Sequence, residues 1–290
     1  MLHRARPTKR RGQYERTLKK IILSKISKRK RPLIGAAATT ALILAIYLFY
    51  TLYFQILPQN VIYLLSDIPP PVASDKILVF APHPDDETIG AAGYIQRAAA
   101  ARAEVWIVLV TDGNKHRLGR KRLLEFEKAS ALLGVPEQRL FNLGYPDTRL
   151  KKVNRRNVSL RFKSIIDTIK PNIVILPTPL DTHPDHSTTG EIILSLLLSS
   201  KTTLYEYLVH HPRFPRPEGL KTDTYMLPPT RLVNSQREWR RFMLTDSEVD
   251  RKLEATLQYK TQLVYPLPRN LLLGMARRNE LFTIPERGAE

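Results

Sequence analysis

From residue 76 onward, short apolar runs alternate with longer stretches in which apolar positions recur every three or four residues. Residues 76–81, 104–111, 139–143 and 171–176 are rich in Val, Ile, Leu, Phe and Trp, and their length and composition predict buried strands. Residues 88–101, 118–133, 154–169 and 187–198 carry the helical period between and after them. Gly134 and Pro136 follow the second of these in the order expected of a helix stop. Strand and helix in this alternation predict an α/β domain: a Rossmann-like, mostly parallel sheet with helices on both faces. Beyond an apolar run at 204–209, which ends in His210 and His211, the pattern loosens into proline-rich segments. A helix is expected over 247–263, with Val249, Leu253 and Leu257 on one face, and residues 285–290 read as a frayed tail.

The amino-terminal part has a different pattern. Residues 1–32 hold thirteen Lys or Arg and one Glu, which is +12 of the chain's formal +19. Residues 33–57 follow with no charge in twenty-five positions and with Tyr47, Tyr50 and Tyr53 towards the far end. Such a run predicts one transmembrane helix, uncleaved because it is longer than a signal-peptide core and lacks a small-residue cleavage site. The basic excess then puts the amino terminus in the cytoplasm and the folded domain outside, with anionic lipids as partners of the tail. A basic tail also suits nucleic acid, but its junction with an apolar run argues against that partner. The expected organisation is a basic tail (1–32), an anchor (33–57), a linker (58–75) stiffened by Pro69, Pro70 and Pro71, a catalytic domain (76–284) and the frayed end (285–290).

Candidate chemistry sits at two strand ends. Residues 81–90 read Ala-Pro-His-Pro-Asp-Asp-Glu-Thr-Ile-Gly, and residues 183–186 read His-Pro-Asp-His. Each lies between a predicted strand and a predicted helix, at the carboxyl edge of the sheet where open α/β folds bind ligands. Neutral imidazole and carboxylate are ligands suited to Zn²⁺, and Fe²⁺ accepts the same donors. Cysteine is absent, so any ion is held by nitrogen and oxygen alone. Acidic residues at a helix start also favour the helix by themselves, and Glu87 fits that bland role or a supporting one. No glycine-rich dinucleotide fingerprint is present, and no nucleotide cofactor is implied.

The paired motifs resemble those of the PIG-L/LmbE-like zinc-dependent de-N-acetylases over about residues 75–210. The resemblance implies His83, Asp86 and His186 as zinc ligands and Asp85 as general base. It implies His183 as the group that steadies the oxyanion or protonates the leaving amine, with Asp185 orienting and charging its ring. Arg122 and Asp147, in segments that are also similar to the family, are implied as substrate-binding residues; a solvated Arg122–Glu125 pair and a turn aspartate are the alternatives. The activity implied is removal of acetyl from an N-acetylated amino sugar such as N-acetylglucosamine. Hydrolysis of another acylated compound and metal-dependent glycan binding are the competing readings, and retention of Asp85 favours catalysis.

Overall fold

In the computed structural model, residues 9–53, 56–233 and 237–286 are described. Eight strands form one sheet: β1 (Ser66–Asp67), β2 (Lys76–Ala81), β3 (Glu104–Thr111), β4 (Leu140–Tyr145), β5 (Ile173–Pro177), β6 (Thr203–Tyr207), β7 (Arg237–Met243) and β8 (Asn279–Pro285). Their spatial order is β1-β7-β8-β6-β5-β2-β3-β4. β6-β5-β2-β3-β4 is parallel throughout, and β8 is antiparallel to both β6 and β7. The fold is therefore α/β with a mixed, mostly parallel sheet. The antiparallel strands escaped the sequence reading because β7, Arg-Glu-Trp-Arg-Arg-Phe-Met, is too charged to look like a strand.

The helices of this unit are α2 (Asp86–Ala100), α3 (Gly119–Leu132), α4 (Arg155–Ile169), α5 (Pro184–Leu197), α6 (Asp246–Thr256), α7 (Lys260–Leu263) and α8 (Pro266–Gly274), counting the amino-terminal α1 (Lys9–Tyr53) as the first. Successive strand side chains point to opposite faces, so the sheet divides the core in two. Ile77, Val79, Ile107 and Leu109 meet residues of α2 and α3 on one face. Leu78, Phe80, Val108 and Val174 meet Phe162 and Ile166 of α4 and Ile193 of α5 on the other. The helix expected over 247–263 is broken into α6 and α7 at the buried Tyr259.

Two features fix the helices that lead from the motifs. A Cβ at Gly190 would lie 2.3 Å from the Pro177 carbonyl oxygen, so only glycine lets α5 approach the end of β5 this closely. Across the sheet, the buried pair Lys252 and Glu280, 2.7 Å apart, enters the backbone ladder of α2. Lys252 Nζ donates to the Ile89 carbonyl, while the Glu280 carboxylate accepts from the amides of Gly93 and Tyr94.

Residues 58–75, read above as a linker, contain a 3-10 turn (Gln59–Leu64) and β1, with Ile62 and Ile68 buried. The amino-terminal unit, Met1–Gln55, clusters separately from Ile56–Glu290. Its described part is α1, which runs unbroken from the basic tail through Pro32. The expected transmembrane helix is not upheld: among the described residues no helix is long and apolar enough to cross a membrane. The uncharged run is diluted by Gly35, five alanines, Thr39, Thr40 and Thr51, and α1 is described as far as Tyr53. The outward-facing topology derived from that anchor falls with it. Residues 1–8, 54–55 and 287–290, parts of the expected tail, anchor and frayed end, lie outside the described residues.

Candidate metal centre

β2 has β3 on one side and β5 on the other, so the chain reverses its direction of winding between β2 and β5. Ligands of open α/β sheets bind outside the carboxyl ends of strands at such a switch point. The loop after β2 carries His83 and Asp85, and the loop after β5 leads to His183 and α5. Thr111 fixes the first loop to β3 by donating its amide (3.0 Å) and its hydroxyl (2.7 Å) to the Pro82 carbonyl. Asp85 then turns the chain into α2 with φ of 130°, a conformation rare for a residue with a side chain.

Three donors meet at the switch point. His83 Nδ1 is 3.2 Å from His186 Nε2, and Asp86 Oδ2 is 3.3 Å and 3.1 Å from those two nitrogens. All three residues are buried. Donors bound to one tetrahedral ion at about 2.0–2.1 Å lie roughly 3.3 Å from each other, so the spacing fits a single divalent ion. The electrostatics agree. Burial opposes charge on His83, yet the carboxylates of Asp185 and Asp86 hold its imidazole up at about 9. His186 is raised well above the ordinary value, again against burial, by Asp86 and Asp181. The cluster thus demands positive charge between its carboxylates, which is what a bound cation supplies.

Each of the two imidazoles is oriented by a carboxylate at its remote nitrogen, the arrangement that fixes tautomer and ring direction in metal sites. His83 Nε2 lies 3.1 Å from Asp185 Oδ2 and 3.5 Å from Asp147 Oδ1. Asp185 is itself held by the amides of Thr148 (2.7 Å) and Leu150 (3.1 Å). His186 Nδ1 lies 3.1 Å from Asp181 Oδ2. Asp181 stands two residues ahead of the His-Pro-Asp-His motif, and its signal in the sequence was a carboxylate in the same loop as a candidate ligand.

The structure brings the other expected residues to the site with altered partners. Asp185 directs its carboxylate to His83, not to His183, because His183 caps α5 and accepts the Asp185 amide at Nδ1 (3.3 Å). Burial, then His83 and His186, lowers His183 to about 4, so its ring is neutral with the proton on Nε2, not the imidazolium expected. Arg122 is buried and makes no bond to Glu125. One guanidinium nitrogen meets the Pro84 carbonyl (3.0 Å) and Asp85 Oδ2 (3.2 Å), and the other meets the Gly113 carbonyl and Asp147 Oδ2 (both 3.3 Å). Glu125 instead accepts from the amide and hydroxyl of Thr261. Burial raises Asp85 to about 7 against the opposing pull of Arg122.

Glu87, fully buried, supports the Asp85 turn. Its Oε2 accepts the Asp85 amide at 3.3 Å, and its Oε1 accepts from the hydroxyls of Thr88 and Tyr259. Burial raises Glu87 to about 7. Tyr259 lies far along the chain in an irregular segment, and nothing in the sequence pointed to it. His210 lines the cleft while its neighbour His211 does not, as opposite directions of adjacent residues require.

The cleft over these groups holds about 180 Å³. His83, Asp85 and His183 line it together with Gln262, Pro268 and Leu271 of α7 and α8.

Residues 78–197 match the family model described as PIG-L, GlcNAc-PI de-N-acetylase. The diacetylchitobiose deacetylase of Thermococcus kodakarensis is 32% identical over 127 residues, 40% of this chain and 46% of that protein. A probable N-acetyl-alpha-D-glucosaminyl L-malate deacetylase 2 of Bacillus anthracis is 25% identical over 197 residues, 61% of this chain and 86% of its own length. The chain thus spans less than half of the first relative and most of the second. Among solved structures, the conserved protein TT1542 of Thermus thermophilus is similar in fold, with TM-score 0.54, 23% identity and coverage of 74% of this chain and 97% of that one. The A40926 pseudoaglycone deacetylase Dbv21 is similar at TM-score 0.58 and 17% identity, over 74% and 99% of the two chains. The match to the PIG-L family model runs from within β2 to the end of α5 and takes in both motifs.

Proposed function

We propose that this chain is a metal-dependent deacetylase that hydrolyses the acetamide of an N-acetylated amino sugar. The observation that carries the reading is the mutual 3.1–3.3 Å spacing of His83 Nδ1, His186 Nε2 and Asp86 Oδ2 beside the buried carboxylate of Asp85. His83, Asp86 and His186 would hold the ion, Zn²⁺ being the best match to two imidazoles and a carboxylate, with Fe²⁺ also served by these donors. When bound, such an ion polarises a carbonyl and lowers the pKa of water to about 7.

The chain's own residues supply the rest. Asp85 lines the cleft and takes the proton from the attacking water, its carboxylate steered by Arg122. His183, neutral with Nε2–H free to donate, steadies the oxygen that becomes negative; removing one such donor typically costs about 10²–10³ in rate. Asp85 then passes the proton to the departing amine. Arg122 and Asp147 act together, and we assign both to positioning: Arg122 ties Asp147 to Asp85, and Asp147 faces His83. The names of the relatives, deacetylases of N-acetylated sugars, support the substrate class. The catalytic domain proposed is residues 76–284, within the compact unit Ile56–Glu290.

The test is acetate release from diacetylchitobiose and other N-acetylglucosamine compounds by the zinc-loaded chain, set beside Asp85→Ala with bound metal measured in both. Activity lost in the variant with metal retained is the expected result. Metal bound by wild type with no acetate from any of these compounds would overturn the reading.

A further inference from the structure

Two loops flanking the cleft carry cations that the metal centre does not use. After β3, Lys115, Arg117, Arg120 and Lys121 are exposed, and Lys115 lines the cleft. After the neighbouring strand β4, Arg149, Lys151, Lys152 and Arg156 are exposed, directly beyond the cleft residue Thr148. No Asp or Glu occurs from 113 to 124 or from 148 to 166. Among the described residues, an ion pair on the exposed part of these loops is made by Arg155 with Glu191 (2.8 Å), and none of the eight cations named above makes one.

The placement is electrostatically unfavourable by itself. Arg120 and Lys121 sit in the first turn of α3 and Arg156 in the first turn of α4, where the helix dipole already presents positive charge and no acidic residue offsets it within that turn. Like charges gathered on two loops that follow neighbouring strands and border one cleft repel one another, and a bound anion relieves both terms. A cleft rimmed by one sign of charge also concentrates oppositely charged ligands at its mouth.

Resting on the deacetylase reading, we propose that the acetamido sugar is presented on an anionic glycan, whose carboxylate or phosphate groups on the units flanking the sugar lie on these two loops. A glycan suits the patch better than single-stranded nucleic acid, which binds by stacking bases on aromatic side chains. Neither 113–124 nor 148–161 contains Phe, Tyr or Trp.

The experiment compares, for the full zinc-loaded chain, an oligosaccharide alternating glucuronate with N-acetylglucosamine and a neutral chito-oligosaccharide of the same length. Acetate release gives kcat and KM; equilibrium binding of the charged oligosaccharide is measured separately. The charged one is expected to have the lower KM, rising with salt between about 0.05 and 0.2 M while the neutral one's KM stays level, because exposed charges are screened over about a Debye length. In Arg117→Glu/Lys121→Glu and in Lys151→Glu/Lys152→Glu, with thermal unfolding recorded to verify folding, the ratio of kcat/KM for charged over neutral substrate should fall about tenfold or more, through KM. Equal, salt-independent turnover of both oligosaccharides would overturn the proposal and leave the deacetylase reading standing. Salt-dependent binding of the charged oligosaccharide, lost on charge reversal but with no acetate released from either, would uphold the patch and sink the deacetylase reading. An oligonucleotide or an anionic vesicle that binds through the same cations when the charged oligosaccharide does not would overturn the proposal in favour of that partner.

Discussion

Asp181 Oδ2 lies 3.1 Å from His186 Nδ1, and the same carboxylate accepts the backbone amides of His183, Val209 and His210. One side chain therefore orients a metal-ligand candidate and ties the loop after β5 to the chain after β6. Burial opposes its charge, but His186 and the amides hold Asp181 below the usual carboxylate range. Asp181→Asn keeps the shape but leaves one acceptor oxygen where there were two, and removes the charge that faces the imidazole. Zinc affinity, read by competition with a chelating dye, should fall about 10–100-fold, the usual loss when a ligand's orienting partner is changed. Unchanged affinity would mean that packing alone orients His186.

Lys252 and Glu280 form a buried pair that replaces part of the backbone ladder in α2, the helix whose first residue is Asp86. Lys252→Met would leave the Glu280 carboxylate buried without its cation and the Ile89 carbonyl without the ammonium. The loss expected in urea unfolding is about 3–5 kcal/mol, the range for breaking a buried pair on one side. A loss under about 1 kcal/mol would show that the amides of Gly93 and Tyr94 satisfy the carboxylate unaided.

What could be read from the sequence, and what could not, follows from the range of the interactions. β2, β3 and β5 are buried on both faces, so their apolar runs announced them, and the strand-to-helix position of both motifs followed. His83, Asp86 and His186 meet because those two turns are neighbours across the switch point. The partner of Asp185 was inferred from adjacency in sequence: Asp185 was paired with His183, two residues away, whereas its carboxylate reaches His83 across the site. β7 and β8 pair with each other across the intervening α6, α7 and α8, and their charged residues Glu238, Arg240 and Glu280 concealed them. The amino-terminal run was judged by its lack of charge, which its small and hydroxylated residues offset.

Glu206 offers a pH-dependent test away from the metal centre. Burial raises its carboxyl above the ordinary glutamate range, while Arg237, Thr283 and Thr178 pull it back. A carboxyl raised in the folded state holds its proton longer there than in the unfolded chain. Its contribution to stability is therefore fullest below the ordinary value and declines as pH climbs through the raised one. Arg237 Nη1, 2.9 Å from Glu206 Oε1, limits that decline. Arg237→Gln should accordingly cost about 1–3 kcal/mol near pH 7 and much less near pH 4, by urea unfolding at the two pH values. An equal deficit at both would assign Arg237 a packing role.

Tyr259 tests whether the carboxyl-terminal segment, outside the matched residues 78–197, sets the geometry of the proposed base. Its hydroxyl donates to Glu87 Oε1, and Glu87 Oε2 accepts the amide of Asp85, whose φ of 130° turns the carboxylate towards the cleft. Tyr259→Phe removes one bond to Glu87 and leaves the ring to fill its buried site. Stability should fall by about 1–3 kcal/mol, the cost of leaving a buried hydrogen-bonding partner without its donor. If the bond serves only stability, kcat and KM will stay at wild-type values. If it positions Asp85, kcat should fall about tenfold with KM and bound metal unchanged, because a carboxylate displaced by a fraction of an ångström loses its reach to the proton it must take. A crystal structure of the variant supplies a readout independent of turnover: Asp85 should leave the left-handed region as Glu87 rotates. Retention of φ near 130° together with full activity would show that Arg122, on the other side of Asp85, suffices to hold it.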